Sequence, residues 1–218
     1  MKKNPSNGRF YVVLHTLLEK IVGFIMRIKV IGTENEPSFG GFVVAANHIG
    51  ASDPVFLCYA FKKNQVRFMA KKELFKIPLL AQLIKGLGAF PIDRSGSDVG
   101  AIKNAVKLVK EGKCLGLFPQ GHRYPGTNPR ETKTKNGVAL IATRAACDII
   151  PVFIWRKNNK PRLFSRTYVI IGERISFAEL GYNKDDAGEY ARISYLVFDR
   201  ICTLGEEFSK KYPDGKLK

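Results

Sequence analysis

Phe42-Val43-Val44-Ala45-Ala46-Asn47-His48-Ile49-Gly50-Ala51-Ser52-Asp53-Pro54 runs from five apolar residues, through two polar ones and a glycine, to a carboxylate followed by proline. Five successive apolar residues without alternation describe a strand buried on both faces, the pattern of a sheet covered by helices. Asp53 reads as an N-cap and Pro54 suits the first helical position, so a helix begins there. The stretch is one strand-turn-helix unit, and Gly50 makes the turn possible.

Similar units follow. Residues 66–70 read as a second strand, and 78–87 as a short helix with Leu79, Leu80, Leu83 and Ile84 on its apolar side. A third strand covers 89–92. Residues 99–111 form a helix with Ile102, Val106 and Val109 on one face. Residues 114–118 and 149–155 are further strands around a helix at 137–147, and 168–171 closes the sheet. A last helix, 187–209, carries Tyr190, Ile193, Val197, Ile201, Leu204 and Phe208 on one face. Strands alternating with helices imply an α/β fold with a largely parallel central sheet flanked by helices, a single domain over residues 31–218. The one long irregular piece, 119–136, carries Gly121, Pro125, Gly126 and Pro129. Loops of that length in a compact domain are usually functional.

Lys and Arg number 36 against 19 Asp and Glu, a formal net charge of +17, with 45% hydrophobic and 25% charged residues. This is a globular composition, not a disordered basic tail. The excess charge calls for an anionic partner: nucleic acid, an anionic membrane surface, or a phosphorylated or CoA-like substrate. Cys58, Cys114, Cys147 and Cys202 have neither CxxC spacing nor histidines at ligand distance, so a disulfide framework and a zinc site are not expected. They read as buried small residues in a reducing, intracellular setting.

Residues 10–26 are apolar-rich, but Glu19 and Lys20 interrupt them and no cleavage site follows, which argues against a secretory signal. No stretch reaches the ~18 uncharged apolar residues of a membrane-spanning helix. At helical period, Leu14, Leu17, Leu18, Ile21, Phe24, Ile25 and Ile28 form a broad apolar face opposite Thr16, Glu19, Lys20, Gly23 and Arg27. Residues 1–30 thus read as an amphipathic helix, docked on its own core or lying in a membrane interface.

The polar residues that follow the strands carry the chemistry. His48 falls at a carboxyl end, where open α/β sheets bind ligands. On an ideal helix His48 and Asp53 would stand about 140° apart, so they meet only if the chain turns between them. If they meet, the carboxylate fixes the imidazole tautomer and leaves the outer nitrogen as a general base. No serine or cysteine sits in an elbow-type motif, so the base would act on a substrate hydroxyl. Alone, the pair is equally a satisfied histidine beside a helix cap. Asp93-Arg94 ends another strand and offers a guanidinium to a phosphate, or a surface ion pair. Phe118-Pro119-Gln120-Gly121-His122-Arg123 ends a third, with amides near Gly121 that could cradle an anion.

In this order and at these intervals, Asn47-His48 with Asp53, Asp93-Arg94, the 118–123 block and Ile150-Pro151-Val152 resemble the four motifs of the glycerolipid acyltransferases, in particular the lysophosphatidate acyltransferase family. Lys135-Asn136-Gly137 resembles the lysine-glycine that follows the third motif. The resemblance implies that His48 deprotonates the acceptor hydroxyl of a lysophospholipid, with Asp53 orienting it. It places Arg94, Gly121 and Arg123 at the acceptor's phosphate, and Asn47, Gln120 and His122 along the substrate site. The donor is acyl-CoA or acyl-carrier protein, with no metal or tightly bound cofactor. It favours a phospholipid membrane surface as partner over nucleic acid, with the chain peripheral on the cytoplasmic face and the 1–30 helix docking there. Lys62, Lys63, Arg67, Lys71, Lys72 and Lys76, beside Leu79 and Leu80, could share that docking. One departure stands out: the family usually has Glu where this chain has Gln120, and Thr or Ser in place of His122. That leaves the acceptor headgroup open. The alternatives are an acyltransferase on another lysolipid or hydroxylated acceptor, and a non-catalytic anionic-lipid binder of the same fold.

Overall fold

A computed structural model describes residues 23–93, 99–162 and 164–217. Strands β1 (Ile28–Ile31), β2 (Phe42–Ala46), β3 (Val66–Lys71), β4 (Phe90–Ile92), β5 (Cys114–Leu117), β6 (Ile149–Arg156) and β7 (Thr167–Ile171) form one sheet in the order β1-β7-β6-β2-β5-β3-β4. The helices are α1 (Asp53–Ala60), α2 (Pro78–Gly86), α3 (Val99–Lys110), α4 (Gly137–Ala145) and α5 (Glu189–Lys211).

Five neighbouring strands, β6-β2-β5-β3-β4, are parallel, as the alternating pattern requires. β7 runs antiparallel to β6, and β1 pairs parallel with β7, so two strands at one edge are reversed. The cause is the connection. Among the described residues of 157–166 the helical content is the 3-10 turn Lys157–Asn159 alone, and a parallel return needs a crossover of a dozen or more residues.

β2 is buried at all five positions. Val43 and Ala45 pack with α3, α4 and α5 on one face, while Phe42, Val44 and Ala46 pack with α1 on the other. Such a strand cannot alternate polar with apolar residues, which is why the run reads as continuous. The four cysteines are buried free thiols. Burial pushes Cys58 and Cys147 up to about 12, too high for a thiolate nucleophile near neutral pH.

The expected helix over 1–30 needs correction at its end. Residues 23–26 are helical, but Arg27 has a φ of 44° and 28–31 form β1, paired with β7 from Thr167 to Ile170. Ile28, read as part of the helical apolar face, is a buried strand residue. Residues 1–22 lie outside the described residues. Among the described residues no helix is long and apolar enough to cross a membrane.

Gly116 of β5 pairs with Phe68 of β3, and a Cβ there would sit 2.2 Å from the Phe68 ring. Gly116→Ala should therefore cost about 1–3 kcal/mol in urea unfolding through overpacking. Phe68→Leu in the same background should recover part of the loss. Simple addition of the two losses would refute the contact.

Candidate active site

Because β6, β2, β5, β3 and β4 point one way, the residues that follow them share one edge. His48 lies just beyond β2, Phe118 beyond β5, Asp93 beyond β4, and Arg156 ends β6.

His48 and Asp53 do meet. Asp53 Oδ2 accepts from His48 Nδ1 at 2.8 Å, from the Ile49 N–H at 2.6 Å and from the Gly50 N–H at 2.8 Å. Asp53 is fully buried, and the His48 side chain is 13% exposed. Asp53 is the first residue of α1 and Ser52 takes the N-cap position. Contrary to the N-cap role read from the sequence, the carboxylate does not cap its own helix but reaches back over the turn. A carboxylate can only accept, so Nδ1 carries the proton and the Nε2 lone pair is available. Among the described residues Nε2 has no hydrogen-bond partner. The Phe118 ring covers one face of the imidazole, with centroids 4.0 Å apart and planes 14° from parallel, and Phe68 stacks on Phe118 in turn.

The turn after β5 grips the His48 backbone from both sides. The His48 N–H donates to Gln120 Oε1 at 2.6 Å, and the Tyr124 N–H donates to the His48 carbonyl at 2.9 Å. Gln120 is buried, and its Nε2 donates to Thr132 Oγ1 at 2.8 Å, while the Thr132 hydroxyl donates to the Pro129 carbonyl. The sequence placed Gln120 along the substrate site. Both ends of its amide are instead used inside the protein. Asn47 is corrected likewise: buried, it donates to the Ile154 carbonyl and accepts from the Ile154 N–H, extending the β2–β6 ladder by one side-chain rung.

Gly121 has a φ of 69°, and its N–H donates to the Phe118 carbonyl at 2.9 Å, so that amide is not open to an anion. A Cβ on Gly121 would come within 2.9 Å of the Lys135 side chain, which ties the Lys135-Asn136-Gly137 stretch to this turn. His122 and Arg123 belong to the same turn with exposed side chains. Arg94 lies outside the described residues. Its neighbour Asp93 forms an ion pair with Lys72.

Sequence reasoning missed Arg156. It is buried, its guanidinium lies 5.4 Å from the Phe56 ring centroid, and it donates to Ser165 Oγ at 3.0 Å and to the Arg162 carbonyl. Burial pushes its pKa down, and the Asp53 carboxylate pushes it back up. A buried cation thus stands near the buried anion behind His48. The only sequence signal is an arginine closing a wholly apolar strand.

Residues 27–155 match the family model described as Acyltransferase. The chain is 32% identical over 157 residues to a 1-acyl-sn-glycerol-3-phosphate acyltransferase of Bacillus subtilis, covering 71% of this chain and 77% of that one. It is 38% identical over 182 residues to the enzyme of that name from Streptococcus pneumoniae, covering 80% of this chain and 64% of that one. The crystal structure of the 1-acyl-sn-glycerophosphate acyltransferase PlsC from Thermotoga maritima shares the fold, with a TM-score of 0.69 over 90% of this chain and 79% of that one, at 22% identity. A family match over more than half the sequence, with the close relative from B. subtilis beside it, makes this chain a member of the acyltransferase family, and an enzyme.

Proposed function

We propose that the chain transfers a fatty acyl group from an acyl thioester, acyl-CoA or acyl-carrier protein, to the free hydroxyl of 1-acyl-glycerol-3-phosphate, giving phosphatidate. The observation that carries this reading is the 2.8 Å contact between His48 Nδ1 and a buried Asp53 carboxylate, with Nε2 left to face a substrate. The names of the B. subtilis and S. pneumoniae relatives, both 1-acyl-sn-glycerol-3-phosphate acyltransferases, support this choice of acceptor.

In the proposed reaction His48 Nε2 takes the proton of the acceptor hydroxyl as its oxygen attacks the thioester carbonyl carbon. The tetrahedral oxyanion collapses, the carbon–sulfur bond breaks, and the imidazolium returns the proton to the leaving thiolate. Asp53 holds the ring in the Nε2-basic tautomer and stabilises the imidazolium that forms. The acyl donor is a co-substrate, so the scheme uses no resident cofactor. Arg94 and Arg123 hold the acceptor's phosphate, while Gly121 contributes the tight turn that places Arg123. A net charge of +17 and a lipid acceptor support action at a membrane surface, peripherally and on the cytoplasmic face. The deciding experiment measures thiol release across a panel of lysolipids with both thioester donors. Turnover of lysophosphatidate above the other lysolipids is expected, and none with either donor would defeat the reading.

Two outcomes follow. His48→Ala should lower acyl transfer by ~10²–10⁴ with the urea unfolding curve unchanged, and turnover that survives would remove His48 from the base role. Arg123→Ala should raise the KM for lysophosphatidate far more than the KM for the thioester. Equal increases would mean that Arg123 does not meet the phosphate.

A further inference from the structure

The chain between β3 and β4 presents a face that the described fold leaves uncovered. It comprises a 3-10 helix, Lys72–Lys76, and then α2. Of α2 only Ala81 is buried, with Leu80 and Ile84 half-buried on the same inward side. On the outward side Leu79 is 83% exposed and Leu83, one turn on, 40%. Ile77 at 51% and Leu74 at 37% continue the apolar surface back toward β3. Lys71, Lys72, Lys76 and Lys85 are exposed around it, against a single acid in 71–86, Glu73. Lys72 is ion-paired with Asp93.

We propose that this face docks on an anionic lipid bilayer, Leu79 and Leu83 entering the boundary between headgroups and acyl chains and the flanking lysines meeting lipid phosphates. The inference rests on the reading above that the acceptor is a lysophospholipid, and it names the surface through which that lipid arrives. Composition favours a bilayer over a protein partner. Protein hot spots are rich in Trp, Tyr and Arg, and 71–86 contains none of them; Phe75, its one aromatic, is half-buried. Protruding aliphatics ringed by lysine on a short helix are the mark of an interfacial segment. The complementary charge is supplied by anionic headgroups, to which a chain of net charge +17 is drawn. Location agrees as well. The 3-10 helix leaves β3 at its carboxyl end, so Leu74 and Ile77 stand at the same edge of the sheet as His48.

The test sediments the full chain with vesicles of phosphatidylcholine alone and of phosphatidylcholine with phosphatidylglycerol. Wild type should bind the anionic vesicles at least about fivefold more tightly than the neutral ones, and binding should weaken as salt rises. Leu79→Ser/Leu83→Ser should weaken anionic-vesicle binding at least fivefold more with an unchanged melting curve, since both side chains are exposed. If the pair unfolds, Leu79→Ser alone carries the same expectation. Smaller losses, wild-type protein that stays in the supernatant, or equal binding to neutral vesicles would overturn the proposal. So would an acidic protein captured through this face by a wild type that ignores vesicles. Sedimentation needs no turnover, so the acceptor reading is checked separately on lysophosphatidate dispersed below its micelle-forming concentration. Docking without turnover there would defeat the acceptor assignment and leave the docking face standing. Turnover without docking would do the reverse.

Discussion

One oxygen atom organises the edge where the parallel strands end. Asp53 Oδ2 gathers three donors from residues 48–50, and this closes the turn between β2 and α1. Desolvating a lone carboxylate is costly, whereas hydrogen bonds to a charged group contribute about 1.5–3 kcal/mol each. Three of them, at the positive end of the α1 dipole and near the Arg156 guanidinium, keep the anion in place without exposing it. The same bonds set the imidazole. Asp53 fixes Nδ1 and Phe118 covers one ring face, so the ring can meet a substrate only through Nε2 and its other face.

The 119–136 loop is the second half of this arrangement. It holds the His48 backbone through Gln120 and Tyr124, and it is itself pinned to α5, where Arg130 donates to Glu206 Oε1 at 2.8 Å and pairs with Asp199. Gln120 in place of the family's usual Glu makes sense in these contacts. The Thr132 hydroxyl already donates to Pro129, so its oxygen is left to accept, and the Gln120 amide both accepts from His48 and donates to Thr132, which an ionised carboxylate could not do. A carboxylate would have to draw the hydroxyl away from Pro129. The substitution is thus accommodated inside the scaffold, with both amide ends spent there.

Much of this was legible in the sequence, for a physical reason. Buried parallel strands must be apolar at successive positions, so β2, β5 and β6 announce themselves, and the motifs stand where those strands end. The failures have equally definite causes. Ile28–Ile31 continues a helical apolar pattern without a break, and only the positive φ of Arg27 and pairing with β7, far along the chain, turn it into a strand. The reversal of β7 could have been read from the connection after β6, which is too short for a crossover helix. Asn47 and Gln120 were placed along the substrate site by the resemblance to the acyltransferase motifs. Their actual partners, Ile154 and Thr132, are remote or lie in an irregular loop, and no local pattern reveals them.

The reversal has a consequence for where chemistry can occur. β7 and β1 send their carboxyl ends to the opposite edge, so the five parallel strands alone supply the edge that carries His48. Its border runs beside β6, and there the last side chain, Arg156, turns inward under α1 and leaves solvent. Toward β3 and β4 the edge changes character, since the chain leaves β3 into an exposed lysine-rich apolar segment. The His48–Asp53 pair sits between these limits. A charge locked in the core lies on one side of it and an exposed, lysine-flanked apolar surface on the other. Under the proposed reaction that asymmetry has a use: the guanidinium stays out of water near Asp53, while a lipid acceptor would come and go over the exposed apolar and cationic side.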